Sequence, residues 1–152
     1  MMRLFAVTAC IAAGAGCDEK LSSLTGPTPD LDTTFRSIQQ NIFTATDSTG
    51  RAACTSCHTT AGGRVPPVGM DLGSSAAYSQ LVNVPSRNKP GAIRVIPGDP
   101  ENSYLVHKLE GRTSPESQKI VGDRMPRGTG PFLTEGQMRV IKRWIELGAL
   151  DN

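Results

Sequence analysis

Cys54-Thr55-Ser56-Cys57-His58 constrains this chain more than any other stretch. Two thiols three positions apart, with an imidazole directly after the second, form the pattern that attaches a c-type haem. Each thiol can add to one vinyl group of the porphyrin, and the imidazole is then carried under the ring, where a nitrogen binds the iron. The spacing assigns Cys54 and Cys57 as covalent anchors and His58 as the proximal axial ligand. A chain built on this motif folds around a large, flat, apolar group, and the group implies work with electrons.

Paired cysteines have other uses. A structural zinc site needs four Cys or His ligands, and the only other cysteines, Cys10 and Cys17, lie in what reads as a leader. A thioredoxin-like pair sits at a helix start after a buried strand. Asp47-Ser48-Thr49-Gly50-Arg51-Ala52-Ala53, ahead of Cys54, is polar and has no strand character. A simple disulfide or a chance match is the remaining alternative.

The start of the chain speaks to compartment. Met1-Met2-Arg3 is a short positive segment, and Leu4 to Gly16 is uncharged and largely apolar, too short for a mature spanning helix. Residues 1–16 read as a secretory signal peptide. The run ends in Gly14-Ala15-Gly16-Cys17, which resembles a bacterial lipobox with Gly14 where leucine is usual. The reading is cleavage before Cys17 and lipidation of its thiol, with ordinary signal cleavage nearby as the competitor; Cys10 is lost either way. Export agrees with the haem motif, since c-type haem is attached outside the cytoplasm.

Residues 17–31 then form the lipidated cysteine and a polar, Pro- and Gly-containing tether, and residues 32–152 one compact domain. One Trp, two Tyr and four Phe in the whole chain are few for a core of this size, a shortage that a buried porphyrin relieves. The net charge of +2 and the lack of a basic patch argue against nucleic-acid binding. No second apolar stretch is long enough to span a membrane.

Helical patterns alternate with Gly/Pro-rich loops, and period-2 alternation is almost absent, so the fold class is all-α. Asp32 or Thr33 caps a first helix carrying Phe35, Ile38 and Ile42. Ser74 or Ser75 caps a short helix through Leu81 to Val82. Asp99-Pro100-Glu101 starts a third, which Gly111 ends. Thr134 and Gln137 make a capping box for the last, with Met138, Ile141 and Ile145 on one face beside Trp144, and Gly148 at the C-cap. The first and last helices bracket the haem.

Met70, His107, Met125 and Met138 are the candidates for a sixth iron ligand. Met138 lies on the apolar face of the last helix and reads as core. His107 sits mid-helix, where a surface or hydrogen-bonded histidine is the ordinary case. Met70 follows Pro66-Pro67-Val68-Gly69 in a loop that can pass the haem edge. Met125 stands in Gly122-Asp123-Arg124-Met125-Pro126-Arg127-Gly128, a stiff loop that can present a thioether free of helix constraints. It is the favoured distal ligand, with a packing methionine as the alternative. A sulfur opposite imidazole favours Fe(II) and raises the potential.

The CxxCH motif, the late methionine–proline loop and the closing amphipathic helix together resemble class I cytochromes c. Met70-Asp71-Leu72, Leu81 to Ser86, Val95 to Leu105, Arg124-Met125-Pro126 and Ile141-Lys142-Arg143-Trp144-Ile145 are similar to the exported cytochrome c domains of planctomycete-type and related environmental bacteria. The likeness spans roughly residues 32 to 150; the long Pro-rich middle departs from the simplest class I pattern. It implies a small cytochrome c-like fold, one covalent haem c, His58 and Met125 as axial ligands, and outer-sphere electron transfer between extracytoplasmic redox proteins. With both axial positions filled, no enzyme activity or small-molecule substrate is expected, and the charge gives no reason to expect a nucleic-acid partner. The expected place is the periplasmic side of a bacterial membrane or the cell surface, held by the lipid. A peroxidase-like haem enzyme or gas sensor with an open distal site, or a haem-relay subunit of a respiratory complex, is the alternative. Arg94, Arg124 and Arg127 are candidates for the haem propionates, against solvated surface charge as the ordinary reading.

Overall fold

Thr34 is extended and its hydroxyl accepts the Ser37 N–H, so the first helix, α1 (Phe35–Ile38), starts one to two residues after the expected Asp32 or Thr33 cap. Asn152 takes its other free donors: the Phe35 N–H donates to the Asn152 side-chain oxygen at 3.0 Å and the Arg36 N–H to its backbone carbonyl at 2.8 Å. The helix runs on through Gln39–Phe43 with the wider i→i+5 winding of a π-helix. The computed structural model describes residues 31–73 and 75–152. The signal peptide, Cys10, Cys17, the tether up to Asp30 and the Ser74 cap lie outside the described residues. Leu31, assigned to the tether, is buried in the core.

Three single 3-10 turns follow, at Cys54–Ser56, Ala61–Gly63 and Pro67–Gly69. After them come α2 (Ala77–Leu81), α3 (Tyr104–Glu110) and α4 (Glu135–Glu146). Among the described residues the only strand-type pairings are two isolated bridges, Val82–Val95 and Pro85–Ile93, and the helical content is compatible with the expected all-α class. The antiparallel Pro85–Ile93 bridge closes a small hairpin that period-2 reading did not mark, and the Val82–Val95 bridge beside it is parallel. The Asn83, Ser86, Arg94 and Val95 N–H groups donate to Val95, Ala92, Val84 and Leu81 carbonyls.

The helix starts show where local signals were sufficient. The Thr134–Gln137 capping box forms in both directions, at 3.2 and 3.0 Å. The C-cap of α4 is Leu147, with Gly148 one residue on at φ +98°. Ala76, without a side-chain cap, precedes α2 in place of Ser75. Asp99 does accept the Asn102 N–H, but the bond closes an isolated turn, and α3 starts later, after extended Ser103. The first α3 donors go to the hairpin: Tyr104 N–H to Ile93 at 2.9 Å and Leu105 N–H to Arg94 at 2.8 Å. Gly111 ends α3 in the left-handed conformation, as expected.

Phe35 joins α1 to α2 and α4, its ring 5.3 Å from those of both Tyr78 and Trp144. Ile38, Ile42, Leu81, Val95, Val106, Ile141 and Ile145 are fully buried around this contact. Each such side chain stabilises the fold by about 1.5–3 kcal/mol relative to exposure. Met138 packs partly buried against this core. No helix among the described residues is long and apolar enough to cross a membrane.

A charged network not legible in the sequence locks the segment ahead of Cys54. Arg51 is fully buried; its Nε pairs with Asp47 at 3.0 Å and its Nη1 donates to Ile42 and Ala52 carbonyls, each at 3.2 Å. Gln137 donates to the same Asp47 carboxylate from α4 at 3.2 Å. Burial alone would raise the Asp47 pKa, but hydrogen bonds from Thr49, Gln137 and Arg51 outweigh it and lower it from 3.8 to about 2. A depressed carboxylate stabilises the fold above its unfolded pKa, and that contribution is lost as pH falls through the folded value. At 1.36 kcal/mol per unit the shift is worth about 2 kcal/mol. Denaturant titrations at pH 7 and pH 2 should show Asp47→Asn losing roughly that amount at pH 7, with the gap to wild type closing at pH 2. An equal gap at both values would contradict this role.

Candidate haem site

The proximal residues sit on one tight turn. The Cys57 and His58 N–H groups both donate to the Cys54 carbonyl, at 3.2 and 2.9 Å. Cys54 is half-buried with its sulfur 3.8 Å from the Ile42 carbonyl, Cys57 is exposed, and the two thiols are free. Burial pushes the Cys54 thiol pKa up, with the Arg51 charge opposing it. Among the described residues no strand precedes the pair, so the setting of a thioredoxin-like site is missing there.

His58 is buried and fixed from two sides. Its carbonyl accepts the Leu72 N–H at 2.9 Å, and its Nδ1 lies 3.3 Å from the Met70 carbonyl. A carbonyl can only accept, so Nδ1 carries the proton in this pairing and Nε2 keeps its lone pair. Nε2 has no hydrogen-bond partner among the described residues. Burial lowers the His58 pKa, and the Arg94 and Lys108 charges add to this against the Met70 bond, which favours the neutral, ligating form. Gln39 holds the support in place by donating to the Leu72 carbonyl at 2.8 Å.

A second group of residues hangs from α3. The Met125 N–H donates to the Lys108 carbonyl at 2.9 Å and Arg124 Nε to the Leu109 carbonyl at 2.8 Å, satisfying groups that have no partner inside the helix. Lys108 Nζ donates to the Val121 and Asp123 carbonyls, and the Tyr104 hydroxyl accepts the Val121 N–H at 2.9 Å. At Gly111 an added Cβ would stand 2.7 Å from Arg124 Cδ, so the close approach of loop and helix requires glycine there.

Both groups border a cavity of about 510 Å³ lined by Cys54, Cys57, His58, Met70 and Met125. Phe43, Leu72, Leu81, Leu105 and Leu109 make much of the rest apolar. The size falls in the range of cofactor and ligand sites. Of the four candidates for a distal ligand, Met138 and His107 are not on this wall. His107 is buried, its Nε2 bonded to the Glu101 carbonyl at 2.6 Å and its Nδ1 without a partner. Met70 shares the cavity, but its carbonyl belongs to the support of His58.

The three arginines separate. Arg127 is exposed and paired with Asp123 at 2.8 Å. Arg124 caps α3 and lies 3.8 Å over the Phe132 ring. Arg94 overturns the expectation of solvated charge: it is 5% exposed and lines the cavity, because its backbone is a rung of the hairpin and its guanidinium turns inward to the Gln80 and Val68 carbonyls. Sequence reading also missed Asp47, Arg51, Gln39 and the Met70 carbonyl. The partners of Gln39 and Arg94 and the Gln137 donor to Asp47 lie far away in sequence, and no local pattern marks them.

The donor set fits a c-type haem: two free thiols, a neutral imidazole with an open nitrogen and a thioether face one apolar space. No group of three or more His, Cys, Asp or Glu side chains among the described residues could hold a bare metal ion. Comparison with family models, with curated proteins and with solved structures finds no match to this chain.

Proposed function

We propose that this chain is an exported, single-haem c-type cytochrome with a class I-like fold that carries electrons between extracytoplasmic redox proteins. One observation carries the reading: Met125, far along the chain from the Cys54–His58 turn, lines the same apolar cavity as Cys54, Cys57 and His58. The packing of α1 against α4 through Phe35 and Trp144 supports the finer fold. When bound, haem c supplies one-electron chemistry at its iron.

The chain's residues do the rest. Cys54 and Cys57 would hold the group as thioethers. His58, its ring fixed by the Met70 carbonyl, would supply Nε2 and Met125 its sulfur as ligands. With two protein ligands on the iron no position would be left for a substrate, which favours electron transfer over an enzyme. The apolar wall would keep water from a group bound there, while exposed Cys57 and Val68 mark an open side for a partner. The sequence of residues 1–31 adds the membrane: export, lipid on Cys17 and a polar tether.

Purified wild-type protein should show the weak sulfur-to-iron charge-transfer band at the red end of the oxidised spectrum, and its ferrous form should resist carbon monoxide. Met125→Ala should abolish the band, lower the potential and admit carbon monoxide, whereas Met70→Ala and His107→Ala should keep the band. Ready binding of carbon monoxide by wild type would favour an open-site enzyme or sensor instead.

The anchor is tested separately. Stable attachment needs more than one acyl chain or an added signal, so Cys17→Ser should release the protein into the soluble extracytoplasmic fraction or leave it as unprocessed precursor. Unchanged processing and membrane association would count against lipidation.

A further inference from the structure

Arg94 is a buried cation without an acid. It is 5% exposed, and no carboxylate lies within ion-pair distance of it among the described residues. Its Nη1 donates to the Gln80 carbonyl at 2.6 Å and reaches Gln80 Oε1 at 3.4 Å; its Nη2 donates to the Val68 carbonyl at 3.3 Å. These acceptors are neutral. A guanidinium has five N–H groups, so among the described residues Nε–H and one Nη2–H are left without a protein acceptor. Burying a charge is expensive unless it is paired and hydrogen-bonded. Arg51, equally buried, shows the usual solution in its bond to Asp47.

The place of Arg94 matters as much as its missing partner. It lines the cavity that holds Cys54, Cys57, His58 and Met125. Ser86 and Asn88, from the same hairpin, line it too and give this part of a largely apolar wall a polar character. The other charged side chains on the wall are accounted for. Lys108 is bonded to two carbonyls beside Asp123, and Arg127 is paired with Asp123. Arg87 adds a second positive charge near Arg94. An apolar slot with one buried cation suits a flat ligand that carries carboxylates on one edge.

We propose that the Arg94 guanidinium pairs with a propionate carboxylate of the haem, setting the rotational position of the group and raising its reduction potential. The proposal rests on the haem reading above. Charge-assisted, bidentate arginine–carboxylate pairs are strong and geometrically specific, and the two unused N–H groups are the donors such a pair needs. A positive charge held in a region of low dielectric favours the reduced iron, which carries one positive charge less.

The test uses haem-loaded wild type, Arg94→Gln and Arg94→Lys, titrated for reduction potential between pH 5 and pH 8 with covalent haem quantified by intact mass. All three should carry haem. Arg94→Gln should have a lower potential at pH 8, and one that falls as pH rises, because the unpaired propionate binds its proton at least tenfold more tightly. Arg94→Lys should lie between it and wild type. A merely structural arginine would alter stability and leave potential and pH profile superimposable on wild type, which would overturn the proposal. Should Arg94→Gln fail to fold, the redox-difference infrared spectrum of wild type decides. Ionised propionate at pH 5 supports the pair, and a protonated-acid band overturns it. A wild-type chain that takes no covalent haem would overturn the haem reading itself, whereas a loaded chain indifferent to Arg94→Gln would overturn this proposal alone.

Discussion

The last carbonyls of α3 have no partner inside the helix, and the groups that satisfy them shape the far wall of the cavity. Lys108 and Leu109 offer theirs to Met125 and Arg124, while the Lys108 side chain ties back Val121 and Asp123. A helix-end requirement thereby becomes a positioning device, since a loop that must cap α3 must also bring Met125 to the cavity. The same economy appears on the near wall. One carbonyl, that of Met70, fixes the histidine ring, and the next residues, through Leu72, fix its backbone and are fixed in turn by Gln39. Both walls are held by hydrogen bonds to backbone carbonyls within the protein.

Two buried arginines mark two ways of handling charge. Arg51 and Asp47 neutralise each other and, with Gln137, bind the segment before Cys54 to α4. Desolvation consumes part of the Coulomb gain of such a pair, and the lowered Asp47 pKa is what remains in favour of the folded state at neutral pH. Arg94 has only neutral acceptors, and its remaining donors belong to a cavity. The first arrangement is complete without a ligand, and the second asks for one.

Legibility in the sequence follows the range of the interaction. The Thr134–Gln137 box and the Gly111 stop depend on residues within one turn, and both form as read. The CxxCH turn is legible because its residues are contiguous, and it closes on the Cys54 carbonyl. Asp99 misled because its local bond does form but stops at extended Ser103, whose hydroxyl is held by the Ile96 N–H and donates to the Asp99 carbonyl; α3 is then capped by the hairpin carbonyls of Ile93 and Arg94. The start of α1 shifts for a similar reason, since Asn152 reaches it from the other end of the chain. Arg94 read as surface because nothing nearby in sequence reveals Gln80 and Val68. Propensity and spacing locate helices and the CxxCH turn, and long-range backbone acceptors decide the rest.

The central claim is that Cys54 and Cys57 hold a haem covalently. It is tested most directly by expressing the chain with a c-type maturation system, then combining intact mass, a haem stain on a denaturing gel and a reduced-minus-oxidised spectrum. The account predicts one haem added to the polypeptide mass, a stained band that survives denaturation and acid–organic extraction, and a c-type difference spectrum. Haem that extracts freely, or a mass equal to that of the bare polypeptide, would contradict it.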